Sequence, residues 1–479
     1  MSFPFPRAIS LEELLSNVEV RITGSASQQV SGMTQDSRDV QPGDLYCCVR
    51  GQSFDGHRFA GDAVDAGAVA ILADRLLEDI PDNVAVVVVD DVRTVLGDVA
   101  SRGFSFPSRS LTMVGITGTN GKTSTAAMLA SILSANGATV RVFGTLTGER
   151  TTPEAIELQS KLHDAVDAGV SHVVMEVSSH ALQQGRVNGI TFDVGVFTNI
   201  ARDHLDYHGT EENYFAAKAL LFAAGRSKIG VINVDDPRGQ LLVDVGSTHT
   251  RAFSKNDIFD IETSVGRVAY SWKGSLIEIP MGGAFTVMNS LAALTAADAL
   301  GVSYEAIARG FATLQQVPGR FESVKNDLGI GVVVDYAHTP DGLAQVLASA
   351  RELTHGHVIV VFGCGGNRDK GKRPMMGKIA AELSDMVYVT SDNPRTEDPA
   401  EIIKEVVAGM GEQSQKSVHI DVDRANAIAS AISAARHGDI VVIAGKGHES
   451  TQEINGVLLP FHDVEVAALA LQNRKEESS

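Results

Sequence analysis

Leu111 to Leu133, LTMVGITGTNGKTSTAAMLASIL, reads as an apolar strand, a glycine turn and an Ala-rich helix in direct succession. A strand that passes into a helix through so short a turn belongs in a parallel sheet covered by helices. The turn itself suits phosphate. Gly118 and Gly121 let backbone N–H groups approach anionic oxygens, and the helix N-terminus adds positive potential. Lys122 reaches outer phosphates, and Thr123 offers a hydroxyl to Mg²⁺. The spacing departs from the common GxxxxGK[ST] pattern, because Ile116 stands five positions before Gly121. The alternative is a plain glycine-rich turn, but a Lys-Thr pair at a helix start then has no packing purpose.

At 479 residues the chain exceeds one hydrophobic core, so about three domains are expected. Residues 1–106 hold the strand-like DLYCCV and VAVVVVD, and FSFPSRS closes them as a linker. Residues 107–322 carry the glycine turn and further strands in HVVMEVSSHAL, DVGVFTNI and KIGVINVDD. Residues 323–479 repeat that grammar in GVVVDYAHTPDGL, HVIVVFGCGGNRDKGK, DMVYVTSDNPRTEDP and DIVVIAGKGHES, and NRKEESS at the end reads as a frayed tail. The expected fold is α/β in three domains. The central one is a P-loop ATPase-type, mostly parallel sheet, and the C-terminal one is Rossmann-like. Ligands of such sheets bind beyond the carboxyl ends of the strands, so four polar, glycine-rich strand tails in one domain point to one shared rim.

A net charge of −19 argues against nucleic acid or an anionic membrane as partner. Phosphate must then be held by local glycines and a few placed cations. Cys47 and Cys48 are adjacent and Cys364 stands alone, which suits neither a disulfide framework nor a zinc site and favours a reducing compartment. The N-terminal MSFPFPRAISLEELL lacks a signal-like apolar core, and no run is long enough to span a bilayer. A cytoplasmic, monomeric protein is expected.

The remaining motifs have chemical and structural readings side by side. Glu176 ends an apolar strand beside the glycine turn, where an acid suits a Mg²⁺ ligand or a solvated cap. Asp203, His204, Asp206 and His208 fall within six residues. His204 and His208 could share a helix face, without a zinc set around them; one His beside a phosphate-linked Mg²⁺, or a surface turn, are the two readings. Lys218 lies in apolar FAAKALLF, where a lysine either snorkels or, buried with a lowered pKa, reacts with CO₂ to form a carbamate. Arg320, Asp335, Tyr336 and His338 flank a turn at Pro340. Arg368, Lys370, Lys372 and Arg373 sit among glycines, as an anion site or a solvated loop. Arg395 follows a strand break between acids, as a carboxylate clamp or as a surface pair with Glu397 or Asp398. In the first block Ser37, Arg38, Gln52 and Ser53 could face a sugar or a diphosphate, or form a plain loop.

Taken together, DSR…PGDLY, GTNGKTS, TTPE, MEVSSHAL, DHLDYHGT, AAKALLF, GRFE, DYAHTPD, GCGGNRDKGKRP, DNPR and GKGHE span residues 36 to 449. In that order they resemble the Mur ligases of peptidoglycan synthesis, and among them the members that add the third amino acid. The resemblance implies a nucleotide-sugar domain, an ATPase domain and an amino-acid domain. The implied substrates are ATP, UDP-N-acetylmuramoyl-L-alanyl-D-glutamate (UDP-MurNAc-L-Ala-D-Glu) and meso-2,6-diaminopimelate, with Mg²⁺ as cofactor. ATP would phosphorylate the free side-chain carboxylate of D-glutamate, and the incoming amine would displace phosphate.

Position by position, the resemblance assigns Gly118, Thr119, Asn120, Gly121, Lys122, Thr123 and Ser124 to the ATP loop, with Lys122 catalytic. Thr123, Glu176, His204 and Lys218 match metal-linked positions; His204 and Lys218 are also catalytic, with Lys218 carbamylated. Asn289, Arg320 and Asp335 match positions near the adenine or phosphates. Ser37, Gln52, Ser53 and Phe54 match uridine-nucleotide contacts, and Thr151, Thr152, Ser178, Gln184 and Arg186 contacts to the muramoyl dipeptide. Arg368, Asp392, Asn393, Pro394, Arg395, Gly445 and Glu449 match the amino-acid pocket. GERTTP departs from the Gly-Asn-Thr-Thr-Pro of many relatives, so Arg150 stands where they have Asn. The rival readings are ligation of L-lysine, a folylpolyglutamate-type ligase, and a P-loop switch or binding module that forms no bond. The full first block, DHLDYHG and DNPR oppose the folate type; the basic rim of the third block opposes the switch.

Overall fold

Each of the three blocks builds a six-stranded sheet, and the order of the strands decides which loops meet. The computed structural model describes residues 1–51, 54–148, 150–245, 248–411 and 417–478. The first sheet comprises β1 (Phe3–Ser10), β2 (Arg21–Thr23), β3 (Gln29–Thr34), β4 (Asp44–Cys47), β5 (Ala70–Ala73) and β6 (Ala85–Val88), in the order β1-β3-β4-β5-β6-β2. The strands from β3 to β6 are parallel, and β1 and β2 close the edges antiparallel. Cys47 and Cys48 are core side chains of this sheet, and burial raises both thiols, that of Cys48 to about 12. They stay protonated and unreactive.

The second sheet comprises β7 (Thr112–Thr117), β8 (Val140–Phe143), β9 (His172–Glu176), β10 (Phe192–Phe197), β11 (Ser227–Asn233) and β12 (His249–Phe253). All pairings are parallel, in the order β12-β11-β10-β7-β9-β8. β7 therefore lies between β9 and β10, and their three C-terminal tails emerge together. An antiparallel meander, β13 (Ile258–Thr263), β14 (Val268–Trp272) and β15 (Ser275–Ile279), breaks the βα alternation and shares one core with helices Lys122–Ala135 and Ala284–Ala299.

In the third sheet β16 (Glu322–Ser323), β17 (Gly331–Asp335), β18 (Val358–Phe362), β19 (Met386–Val389), β20 (Val418–Ile420) and β21 (Ile440–Ala444) run β16-β17-β21-β18-β19-β20. Only β16 is antiparallel. The four glycine-rich tails follow β17, β21, β18 and β19, which are neighbours, so they do form one rim. A hairpin of β22 (Thr451–Ile454) and β23 (Val457–Pro460) backs that rim through a bridge from Ile454 to Arg395. The terminal NRKEESS is not frayed as expected. Helix Asp463–Ser478 takes in all of it but Ser479, which lies outside the described residues; Arg474 donates to the carbonyls of Ile432 and Ala435, and Lys475 pairs with Asp327. Among the described residues no helix is long and apolar enough to cross a membrane.

One buried ion pair fixes the end of β21. Arg424 and Asp463 are both inaccessible; the guanidinium makes two 2.8 Å bonds to the carboxylate and donates to Ala444 O at 2.9 Å. Removing one member of such a pair strands the other charge in the core. Asp463→Ala is expected to cost about 3–5 kcal/mol in urea unfolding; a loss below about 1 kcal/mol would show that the pair is not structural.

Candidate active site

The β7 tail makes a close-fitting loop. Gly118 has φ 152° and Gly121 φ 84°. A Cβ on Gly118 would lie 1.9 Å from Thr198 Oγ1, and one on Gly121 2.1 Å from Asn289 Oδ1. Any side chain at either position would close the space that the loop encloses. Lys122 Nζ folds back to donate to Gly118 O (3.0 Å) and Thr119 O (2.9 Å), and burial lowers its pKa. Thr119 Oγ1 lies 3.1 Å from the Tyr214 hydroxyl, and Asn120 N donates to Asn199 Oδ1 at 2.9 Å. Thr123 and Ser124 are buried in the first helical turn.

Two contacts tie this loop to the third sheet. Arg320 Nη2 donates to Thr123 Oγ1 at 3.1 Å, and Asn120 Nδ2 to Asp341 Oδ2 at 2.8 Å. Asp335 is buried at the end of β17. It accepts from Phe321 N at 2.7 Å and so holds the Arg320 segment in place; burial raises its pKa.

Lys218 is 1% exposed. Its Nζ donates to Gly118 O at 2.8 Å and lies 4.4 Å from the Tyr214 ring centroid. No carboxylate pairs with it among the described residues. Burial, then the charge of Lys122, pushes its pKa well below the ordinary lysine value, so the snorkelling reading fails. Glu176 ends β9 in the core and accepts from Thr145 N (2.9 Å) and Thr145 Oγ1 (3.2 Å). His204 has φ 52° and its Nε2 lies 3.4 Å from Asp203 Oδ2. His204 and His208 do not share a ligand face. His204 precedes the short helix Leu205–His208, while His208 is buried with Nε2 2.9 Å from Ser179 Oγ. Among the described residues no three His, Cys, Asp or Glu side chains form a metal cage. The oxygens of Thr123 and Glu176 suit a hard cation that keeps other ligands, as Mg²⁺ does with phosphates.

Beside Glu176 the residues that the resemblance assigns to the muramoyl dipeptide converge. Thr152 Oγ1 donates to Glu176 O at 2.9 Å, and Ser178 N donates to Thr152 Oγ1 at 3.1 Å. Thr151 Oγ1 lies 3.2 Å from Thr145 Oγ1. Arg186 donates to Thr152 O and Gln184 Oε1 and pairs with Glu154 at 2.9 Å; Gln184 Nε2 donates to the Tyr207 hydroxyl at 3.0 Å. Arg150 shares Glu154 with Arg186, at 2.8 Å. A groove of about 610 Å³ leads from Gln184 and Tyr207 to Arg50, in a loop of the first block, and Arg93, in the first turn of helix Val92–Gly103. Ser37 opens a short turn and Phe54 is 74% exposed; neither lines that groove. Gln52 and Ser53 lie outside the described residues.

On the other side of Asp203 and His204 a cleft of about 940 Å³ reaches the rim of the third sheet, where Arg368, Asp392, Asn393, Arg395, Gly445 and Glu449 line it. Pro394 is buried against Gly366. Arg395 does not pair with Glu397 or Asp398. Glu397 is taken by Arg373 (2.9 Å) and Lys370 (3.2 Å), and the Arg373 guanidinium holds its pKa down to about 2. Asp398 caps helix Pro399–Val407. Arg395 Nη1 instead donates to Gly366 O at 2.8 Å, with Nε 3.3 Å from Glu453. The basic loop thus divides: Arg368 and Lys372 line the cleft, whereas Arg373 is a buried strut.

Three family models match the chain in succession: the Mur ligase family catalytic domain over residues 29–103, the Mur ligase middle domain over 116–297, and the Mur ligase glutamate ligase domain over 319–447. The UDP-N-acetylmuramoyl-L-alanyl-D-glutamate–2,6-diaminopimelate ligase of Syntrophomonas wolfei is 41% identical over 97% of this chain and 100% of its own length. The chain belongs to the Mur ligase family. A solved structure of a UDP-N-acetylmuramoyl-L-alanyl-D-glutamate–2,6-diaminopimelate ligase is 35% identical with a TM-score of 0.71, covering 98% of this chain and 100% of that one. The MurF ligase of Thermotoga maritima in complex with ADP shares the fold at 22% identity and a TM-score of 0.64, over 93% of this chain and 98% of its own.

Several residues of this Mur ligase site escape a reading of strand tails alone. Thr145 and Tyr207 act through contacts with distant segments, and no local pattern marks them. Glu154 lies inside TTPE and was open to detection as the acid between two arginines. Lys122→Ala is expected to lower ADP formation by about 10²-fold or more with an unchanged circular dichroism spectrum. Near-native turnover would remove Lys122 from the site.

Proposed function

We propose that this Mur ligase is an ATP-dependent amide ligase that joins meso-2,6-diaminopimelate to UDP-MurNAc-L-Ala-D-Glu, in the cytoplasm. A D-glutamate carboxylate oxygen attacks the γ-phosphorus, and the bond to the β-phosphate oxygen breaks to leave ADP. The amine of diaminopimelate then attacks the acyl carbon. A C–N bond forms, the C–O bond to phosphate breaks, and the amine loses a proton. Gly118 to Ser124 surround the phosphates with backbone N–H groups, and Lys122 leaves its two carbonyls to meet the charge they carry. Thr151, Thr152, Ser178, Gln184 and Arg186 hold the dipeptide end, and the groove toward Arg50 and Arg93 takes the nucleotide. Thr123, Glu176 and His204, with a carbamate on Lys218, would hold Mg²⁺, which supplies charge neutralisation at the transferring phosphoryl group. The burial of Lys218, without a carboxylate partner among the described residues and with its pKa pushed well below the ordinary lysine value, supports that carbamate: the lone pair of the deprotonated amine attacks CO₂, an N–C bond forms and a proton leaves.

One observation carries the choice of amino acid. Arg395 and Arg368 lie across Gly365, with Arg395 Nη1 3.1 Å and Arg368 Cγ 3.8 Å from the position of a Cβ there, on the rim that also bears Asp392 and Glu449. A guanidinium fork matches the second carboxylate of diaminopimelate and repels the ammonium that ends L-lysine. Arg395→Ala is expected to cost about 2 kcal/mol, roughly 30-fold, in kcat/KM for meso-diaminopimelate. A wild type that prefers L-lysine, or a variant within a few-fold of it, would remove the clamp. Lys218→Ala is expected to lose most activity and to regain part of it with short carboxylic acids. Unchanged rates after bicarbonate removal, without acid rescue of the variant, would sink the carbamate.

A further inference from the structure

Lys446 is a fully buried lysine inside GKGHE to which the resemblance assigns no role. It follows β21 between Gly445 and Gly447 and is 0% exposed. An ammonium has three protons to place, and three acceptors surround it: Thr451 O at 2.6 Å, Glu449 Oε2 at 3.2 Å and Asn393 Oδ1 at 3.3 Å. Glu453 N also donates to Asn393 Oδ1, at 2.9 Å. Two donors on one amide atom make that atom the oxygen, so the amide nitrogen of Asn393 must face the other way. There it donates to Glu449 Oε2 at 2.7 Å. Glu449 Oε2 is thus held by two donors, while Oε1 receives no hydrogen bond from the described residues. The side chain is 32% exposed and lines the cleft.

The consequence is a carboxylate with one oxygen anchored and one offered. Without Lys446 the amide of Asn393 keeps only Glu453 N on its oxygen, and Glu449 Oε2 loses the one cation bonded to it while Asp392 shares the cleft. We propose that Lys446 is a positioning residue for the known chemistry: through Asn393 and Glu449 it aims a carboxylate oxygen at the ammonium of the incoming amino acid. The inference rests on reading this cleft as the amino-acid pocket. It adds the cationic half of a zwitterion site to the carboxylate clamp at Arg395, and together these select a substrate end that carries both charges.

The test is steady-state kinetics of the full-length enzyme with each substrate varied in turn. For Lys446→Met, KM for meso-diaminopimelate is expected to rise at least about tenfold, the size of one charged hydrogen bond. KM for ATP and for UDP-MurNAc-L-Ala-D-Glu should stay within about twofold of wild type, because neither substrate meets the Glu449 oxygen. In a Glu449→Gln background, Lys446→Met should add little, since both substitutions act on one interaction. Equal losses for all three substrates, or additive effects in the double variant, would overturn the inference in favour of a general structural role. If Lys446→Met does not fold by circular dichroism, Lys446→Gln, uncharged but able to donate to Thr451 O, gives the same readout. Arg395→Ala separates the two readings. If Arg395→Ala raises KM for the amino acid and Lys446→Met does not, the inference about Lys446 fails alone. If neither moves it, the pocket itself is misassigned.

Discussion

Two lysines converge on one carbonyl. Lys122 and Lys218 both donate to Gly118 O, at 3.0 and 2.8 Å, inside a loop without room for a side chain on either glycine. Neither ammonium has a carboxylate partner among the described residues. Burial, and then the neighbouring charge of Lys122, holds the pKa of Lys218 well below the ordinary lysine value. The loop is therefore short of negative charge, and a polyphosphate corrects that deficit as it binds. The same burial leaves Lys218 without a carboxylate partner among the described residues, inside a helix whose other polar residues lie in its first turn.

Everything else in the molecule delivers reactants to that loop. β7 lies between β9 and β10, so Glu176 and the Asp203–His204 turn emerge beside the glycines. The third sheet turns its own rim toward the same point. Asn120 to Asp341 and Thr123 to Arg320 join the two sheets directly through the phosphate loop. The glycine loop is thus also a contact between the second and third blocks.

Local grammar carried most of the fold into view. The strand, turn and helix around Gly118 and the four polar tails of the third block follow from apolar runs and glycines a few residues apart, and they stand where that grammar puts them. Partner choice did not follow from local sequence. Glu397, two residues from Arg395, belongs to Arg373, and Arg395 meets Glu453 from a hairpin nearly sixty residues on. His208 looks like a companion of His204 at helical spacing, yet the helix begins after His204 and turns His208 into the core. Lys446 sits inside a recognised motif, but its use depends on complete burial and on Thr451 O at the start of the hairpin, which local sequence does not reveal.

The central claim is that the loop around Gly118 spends ATP to turn a carboxylate into an acyl phosphate, rather than to drive a motion. Oxygen-18 in the D-glutamate side-chain carboxylate tests this directly. During ligation with meso-diaminopimelate, mass spectrometry of the released phosphate should find one labelled oxygen per molecule, carried over when the amine displaces phosphate. Amide formation with unlabelled phosphate would contradict the account.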